Sequence, residues 1–309
     1  MKNGTLEARY EELTEEFGIS GPDRLELALL REEQAKPSRA VPTCLPTWNG
    51  CCRGEGGGQG LAPTWFVVVA GATGAGKTML GLNLVTEALR NGEHVLYLSL
   101  EMGWKQLVTR LRAIATGTDI RRLEWGDRFD IDEAMKADRV LIEELPGTLL
   151  YNRLPVWRLE DVKALMEAYA EVAAVRFFVV DYLQLVSPGG RERIYEATMQ
   201  TAQQLRYAAQ SLDAVCVALS QYNRSTSANR FDPPTVQGLL GGSSIENDAS
   251  QVLLLDHTRR KRDDRNRIER SYLLLAKNRH GPQCEIPIEF DYGTLRVREA
   301  LADEEEEWP

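Results

Sequence analysis

The sequence predicts an α/β fold in which a mainly parallel central sheet is flanked by helices. Three observations carry this. Short apolar runs recur along the chain, amphipathic helical spacing separates several of them, and the first long run feeds a glycine-rich turn that opens a helix. A run that is apolar at every position reads as a strand covered on both faces, the condition of a parallel sheet with helices above and below.

Residues 1–40 read as a short helical N-terminal extension or linker. A helix is expected over 5–17, a break at Gly18-Ile19-Ser20-Gly21-Pro22, and a second helix carrying Leu25, Leu27, Leu29 and Leu30. Residues 37–62, with their prolines and the run GEGGGQG, read as a loop or hinge. One large α/β domain is expected to span 41–300. Strands are predicted at 65–70 (WFVVVA), 94–100 (HVLYLSL), 177–181 (FFVVD), 214–220 (AVCVALS), 251–256 (QVLLLD) and 272–277 (YLLLAK). One helix is expected where Leu107, Val108, Leu111, Ile114 and Ala115 share a face, another where Leu159, Val162, Leu165, Met166 and Tyr169 do. Residues 301–309 form an acidic tail too charged to pack, and it is expected to be disordered.

Composition narrows the function. With 309 residues, 43% of them apolar, the chain can bury a large core. It has no run of 18 apolar residues and its N-terminus MKNGTLEARYEEL has no apolar signal core, so no membrane span or secretion is supported and the cytoplasm is the expected compartment. The five cysteines (Cys44, Cys51, Cys52, Cys216, Cys284) lack paired C-x-x-C spacing and read as free thiols, and His94, His257 and His280 show no ligand pattern. The net charge of -9 is concentrated at the ends, with -3 in residues 1–40 and -5 in the tail. The nearly neutral body can still present a basic surface, so a nucleic-acid partner stays open.

Gly71-Ala72-Thr73-Gly74-Ala75-Gly76-Lys77-Thr78 matches G-x-x-x-x-G-K-[ST] between a predicted strand and a helix starting near Lys77. Glycines let backbone N–H groups converge on phosphate oxygens, Lys77 reaches the β- and γ-phosphates, and Thr78 can ligate Mg²⁺. The strand 177–181 ends in Asp181, a carboxylate expected to hold the Mg²⁺ shell from the sheet's C-terminal edge. Glu101 follows the strand 94–100 and could orient the attacking water, while Gln221 closes another strand and could sense the γ-phosphate.

Ser99-Leu100-Glu101-Met102, Val180-Asp181-Tyr182-Leu183-Gln184-Leu185, Ala218-Leu219-Ser220-Gln221-Tyr222-Asn223-Arg224 and Ser244-Ile245-Glu246-Asn247-Asp248-Ala249 resemble, in order and spacing, the successive motifs of the C-terminal RecA-like motor domain of DnaB-type replicative helicases. The resemblance runs from about Val41 to Val297. It implies a RecA-like P-loop ATPase core that uses ATP and Mg²⁺, with Glu101 as catalytic base, Asp181 as magnesium carboxylate and Gln221 as sensor. Lys277-Asn278-Arg279-His280-Gly281 is similar to the family's K-x-R-x-G segment, which implies that Lys277 and Arg279 lend cations to a neighbouring subunit's nucleotide. Two residues spaced by two on a strand share a face, which suits such a pair.

The family implies a homo-oligomeric ring, a hexamer, acting on single-stranded DNA, with primase or a loader as partner. Members usually carry a separate N-terminal collar domain for which this length is expected to leave no room, so residues 5–35 are expected to serve as the linker helix that docks on the next subunit. The channel loop reads PPTVQGLLGGS over 233–243, without the acidic-basic cluster of close relatives. Arg224 and Arg230, with the backbone at Gly241 and Gly242, are the candidate strand contacts. Arg259 to Arg270, with seven basic and three acidic residues, is expected to be a solvated outer hairpin rather than a nucleic-acid contact. The expected function is ATP-driven translocation on single-stranded DNA with duplex unwinding. The alternative is a RecA- or RadA-type recombination or repair ATPase that remodels DNA without unwinding, and a non-catalytic ring subunit is a third class.

Overall fold

The computed structural model describes residues 19–20, 40–52, 59–125, 136–153, 158–186, 194–222, 233–239, 241–263 and 267–300. Its strands are β1 (Ile19–Ser20), β2 (Phe66–Gly71), β3 (Val95–Ser99), β4 (Leu149–Asn152), β5 (Phe177–Asp181), β6 (Val215–Gln221), β7 (Gln251–Arg262), β8 (Ile268–Asn278), β9 (Cys284–Asp291) and β10 (Arg296–Glu299). The α-helices are α1 (Pro46–Cys51), α2 (Lys77–Arg90), α3 (Trp104–Thr116), α4 (Ile120–Trp125), α5 (Leu159–Val172), α6 (Ile194–Ser211) and α7 (Gly242–Asp248).

The strands form one sheet in the order β1-β4-β3-β5-β6-β2-β7-β8-β9-β10. From β4 to β7 neighbours run parallel, and β1 and β8 to β10 add antiparallel edges. Alternate residues of the parallel strands feed two separate cores. Phe66, Val68, Leu96, Leu98, Phe178 and Val180 face α5 and α6, while Val67, Val69, Val95, Tyr97, Phe177 and Val179 face α2 and α3. This two-sided cover is why those runs are apolar throughout.

Two expectations are corrected. The run 272–277 is not covered on both faces: β8 alternates buried and half-buried residues, because antiparallel strands at the sheet's edge keep one solvated face. The hinge assigned to 37–62 contains α1, which starts on Pro46 and buries Trp48 completely; the indole Nε1 donates to Gln251 Oε1 at 2.9 Å. Val41 and Leu61, on either side of α1, exchange both backbone hydrogen bonds at 2.8 Å. The basic run around 259–270 is the β7–β8 hairpin, with Arg259, Lys261, Arg262 and Arg267 exposed, and its described arginines also reach carboxylates of the sheet. Arg259 holds Asp256 and Glu285, Arg260 and Arg262 flank Glu269, Arg267 meets Asp291, and Arg270 meets Glu289. Asp256, Glu269 and Glu289 are buried, so these pairs neutralise carboxylates inside the fold. The helices expected at 5–17 and after Pro22, and the tail 301–309, lie outside the described residues.

Candidate functional site

The site is built at one end of the parallel strands, where strand register decides which residues meet. Gly71 of β2 lies beside Gln221 of β6, and Ser99 of β3 lies beside Asp181 of β5. From Gly71 the chain turns into α2 through Gly74 and Gly76, both left-handed at φ 72° and 92°. A Cβ at Gly76 would come within 2.6 Å of the Phe290 ring, so both conformation and space require glycine there. Lys77 Nζ donates to the carbonyls of Gly71 and Ala72 at 3.0 Å each. Burial lowers the pKa of Lys77, opposed by the carboxylates of Asp181 and Glu101, with Arg260 adding to the lowering.

Asp181 is 2% exposed. Its Oδ2 accepts from the Thr78 hydroxyl at 3.0 Å and from the Tyr97 hydroxyl at 2.7 Å. Burial raises the Asp181 pKa, and these two hydroxyls oppose the rise. Glu101 lies two residues beyond the end of β3, exposed on the same cleft. Gln221 Nε2 donates to Thr73 Oγ1 across the cleft mouth. Gln184 fixes that glutamine's backbone: its Oε1 accepts the Gln221 N–H at 3.1 Å and its Nε2 donates to Ser220 Oγ at 2.9 Å. The cleft has a volume of about 780 Å³ and is lined by residues 73–79, Glu101 and Gln221, with Gln106, Arg110, Glu124, Tyr182 and Tyr292. A glycine turn at a helix N-terminus with a lysine suits a phosphate chain, and the neighbouring Thr78 and Asp181 oxygens are the hard donors that Mg²⁺ takes.

Lys277 and Arg279 are not among the residues lining this cleft. Lys277 is on β8 opposite Val252, but the strand ends at Asn278, so Arg279 projects from the following turn rather than from the strand. Its N–H donates to the Ser250 carbonyl at 3.0 Å, and its Nη2 donates to the Asn247 carbonyl of α7. The Lys277 pKa is lowered to about 8, by burial first and then by the Arg279 charge.

Gly241 caps α7 at φ 78°. Gly242 packs against the Val236 carbonyl with no room for a Cβ, and its N–H donates to the Leu239 carbonyl at 2.9 Å. That N–H is therefore used within the turn. Arg224 and Arg230 lie outside the described residues.

Sequence reasoning missed Tyr97, Gln184 and Arg260 as members of this neighbourhood. Arg260 Nη1 reaches the Gly74 carbonyl at 3.4 Å from the far hairpin, a contact no local pattern encodes. Tyr97 had a usable signal: a lone phenol in an apolar strand needs a partner when buried.

The sequence model of one family, described as the DnaB-like helicase C terminal domain, matches residues 57–299. The chain is similar to the replicative DNA helicase DnaB of Leifsonia xyli, at 27% identity over 235 residues, which is 75% of this chain and 51% of that protein. The chain spans about half the length of the curated relatives it matches. Among solved structures, a DnaB-like replicative helicase studied with primase superposes with a TM-score of 0.68 at 20% identity, covering 88% of this chain and 66% of that one. A separately solved ATPase domain gives a TM-score of 0.68 at 20% identity, covering 89% and 97%. These likenesses establish the α/β fold of that motor domain.

Proposed function

The chain belongs to the DnaB-like helicase C-terminal domain family, and from that premise we propose that it is the ATP-driven motor of a ring-shaped DNA helicase that translocates on single-stranded DNA and unwinds duplex. The observation that carries the chemistry is the 3.0 Å contact between Thr78 Oγ1 and Asp181 Oδ2, beside the lysine of a Cβ-restricted glycine turn. The reading also places the ring in the cytoplasm.

In this proposal the glycine turn 71–76 and the N-terminus of α2 bind the triphosphate, and Lys77 moves from its carbonyl partners to the phosphate oxygens. Thr78 and Asp181 hold Mg²⁺, which offsets phosphate charge when bound. Glu101, exposed on the cleft, orients the water that attacks the terminal phosphate. Gln221, held in place by Gln184, reports the state of that phosphate to the strand β6. Lys277 and Arg279, outside their own chain's cleft, serve the nucleotide of the next subunit, so that the active site is completed only in a homo-oligomer, a hexamer. The contact between Arg279 and the Asn247 carbonyl supports a route from that nucleotide to α7 and the glycine turn at its start. DNA is held by the preceding segment containing Arg224 and Arg230. Primase or a loader is the proposed protein partner, on the strength of the primase named with one structural relative.

The recombination-type alternative is not favoured by the family match. A forked-duplex assay with ATP, run beside a strand-exchange assay, tests the reading. Unwinding without strand exchange is expected; strand exchange without unwinding would overturn it.

A further inference from the structure

Two thiols lie against each other away from the nucleotide cleft. Cys51 ends α1, Cys284 begins β9, and their sulfurs are 2.7 Å apart across 233 residues of sequence. Both are free cysteines; Cys51 is buried and Cys284 half-buried. Neither lines the cleft.

The backbone around them is held together by groups other than the sulfurs. Asn278 Nδ2 donates to the Cys51 carbonyl and to the Pro282 carbonyl, each at 2.9 Å. Gln251 links Trp48 to Asn278, accepting from the indole at 2.9 Å and donating to Asn278 Oδ1 at 3.1 Å. Gly281 packs on the Cys51 carbonyl with no room for a Cβ. The two cysteines are thus presented to each other by the fold, and a covalent S–S bond needs only a short approach of the side chains.

We infer that Cys51 and Cys284 form a reversible thiol–disulfide site, whose closure staples α1 to the turn carrying Arg279. The oxidant is a small-molecule disulfide such as oxidised glutathione. The Cys284 thiolate attacks one glutathione sulfur, breaking that S–S bond and releasing a glutathione thiolate. The Cys51 thiolate then attacks the Cys284 sulfur and releases the second. Two protein thiols are oxidised, one glutathione disulfide is reduced to two thiols, and the two protein protons pass to the departing thiolates. Burial and the neighbouring Cys51 sulfur push the Cys284 thiol up to about 12, so closure runs faster as pH rises. The bond leaves the cleft open but restrains the finger turn. Its effect on turnover therefore rests on the trans-finger proposal, whereas its formation does not.

The full chain is incubated with oxidised glutathione, alkylated, and peptide-mapped without reduction. The expected result is a Cys51–Cys284 linked peptide, reversed by dithiothreitol, and a melting temperature higher by about 5 °C. Both disappear in Cys284→Ser and persist in Cys44→Ser, which shows that the assay reads this pair. Recovery of both thiols alkylated, of a stable glutathione adduct on Cys284, or of a link to Cys52 overturns the site. ATPase turnover is followed on the same samples and is expected to fall with the oxidised fraction. A recovered link with unchanged turnover keeps the thiol site and overturns its hold on the fingers.

Discussion

The Tyr97 hydroxyl donates to Asp181 Oδ2 at 2.7 Å, and the tyrosine is fully buried. That hydrogen bond favours the ionised carboxylate, against the burial that raises its pKa. Removing it in Tyr97→Phe raises the Asp181 pKa further. The carboxylate exists above its pKa, so the acid side of the ATPase pH profile moves to higher pH. Hydrogen bonds to charged groups are worth about 1.5–3 kcal/mol, which corresponds to a shift of about 1 to 2 pH units. A profile superimposable on the wild type's would show that Tyr97 only fills space.

Glu101 and Lys77 separate chemistry from binding. Lys77→Ala is expected to lose nucleotide binding, measured by titration with a fluorescent ATP analogue. If Glu101 orients the water as proposed, Glu101→Gln should bind that analogue normally and lose turnover by about 10²-fold or more, because only that carboxylate is gone. Normal turnover in Glu101→Gln would remove its assignment as base.

If Lys277 serves the neighbouring subunit's nucleotide as proposed, that contact is pH-dependent. A lysine is cationic below its pKa, here lowered to about 8, so its charge is present at neutral pH and lost as pH rises through that value. ATPase activity of the oligomer is expected to fall on the alkaline side, and Lys277→Arg to flatten the fall because guanidinium keeps its proton. An identical alkaline limb in both proteins would place the titrating group elsewhere.

Single-stranded DNA should raise the ATPase rate, and its affinity should weaken with salt as phosphate-bound counterions are released. The double variant Arg224→Ala with Arg230→Ala is expected to bind more weakly, with a slope of log affinity against log salt reduced by about 1.4 from the loss of two phosphate contacts. An unchanged slope would show that these arginines do not touch the backbone.

The parallel strands β2, β3, β5, β6 and β7 were legible because each begins as an apolar run bounded by turns, whereas β4 is only four residues long and half-buried. FFVVD marked β5 to the residue. The antiparallel edge was harder. In β9, CEIPIEFD alternates and contains Pro287, which argues against a strand. The glycine turn, Asp181 and Glu101 could be located because they sit at strand ends, where sequence order and sheet edge coincide. Tyr97 carried a signal as a phenol in an apolar strand, but its pairing with Asp181 depends on the arrangement of the sheet, and the place of Arg260 depends on a hairpin 186 residues from its contact at Gly74. In the Arg259 to Arg270 run, Asp256 is a near neighbour of Arg259 in the chain, but the partners Glu285 and Glu289 are set by strand pairing and could not be read from sequence order.

The most direct test of the ring motor is complementation between two inactive subunits. Arg279→Ala should bind ATP through its own glycine turn but hydrolyse it poorly; arginine fingers elsewhere are worth roughly 10³ to 10⁵ in rate. Lys77→Ala lacks the phosphate lysine but keeps Arg279. In mixed oligomers, an intact cleft on one subunit can meet an intact Arg279 on the next, so ATPase activity should return in part although each variant alone is inactive. No recovery in oligomers shown by native mass spectrometry to be mixed, or full activity in a monomer, would contradict a site completed between subunits.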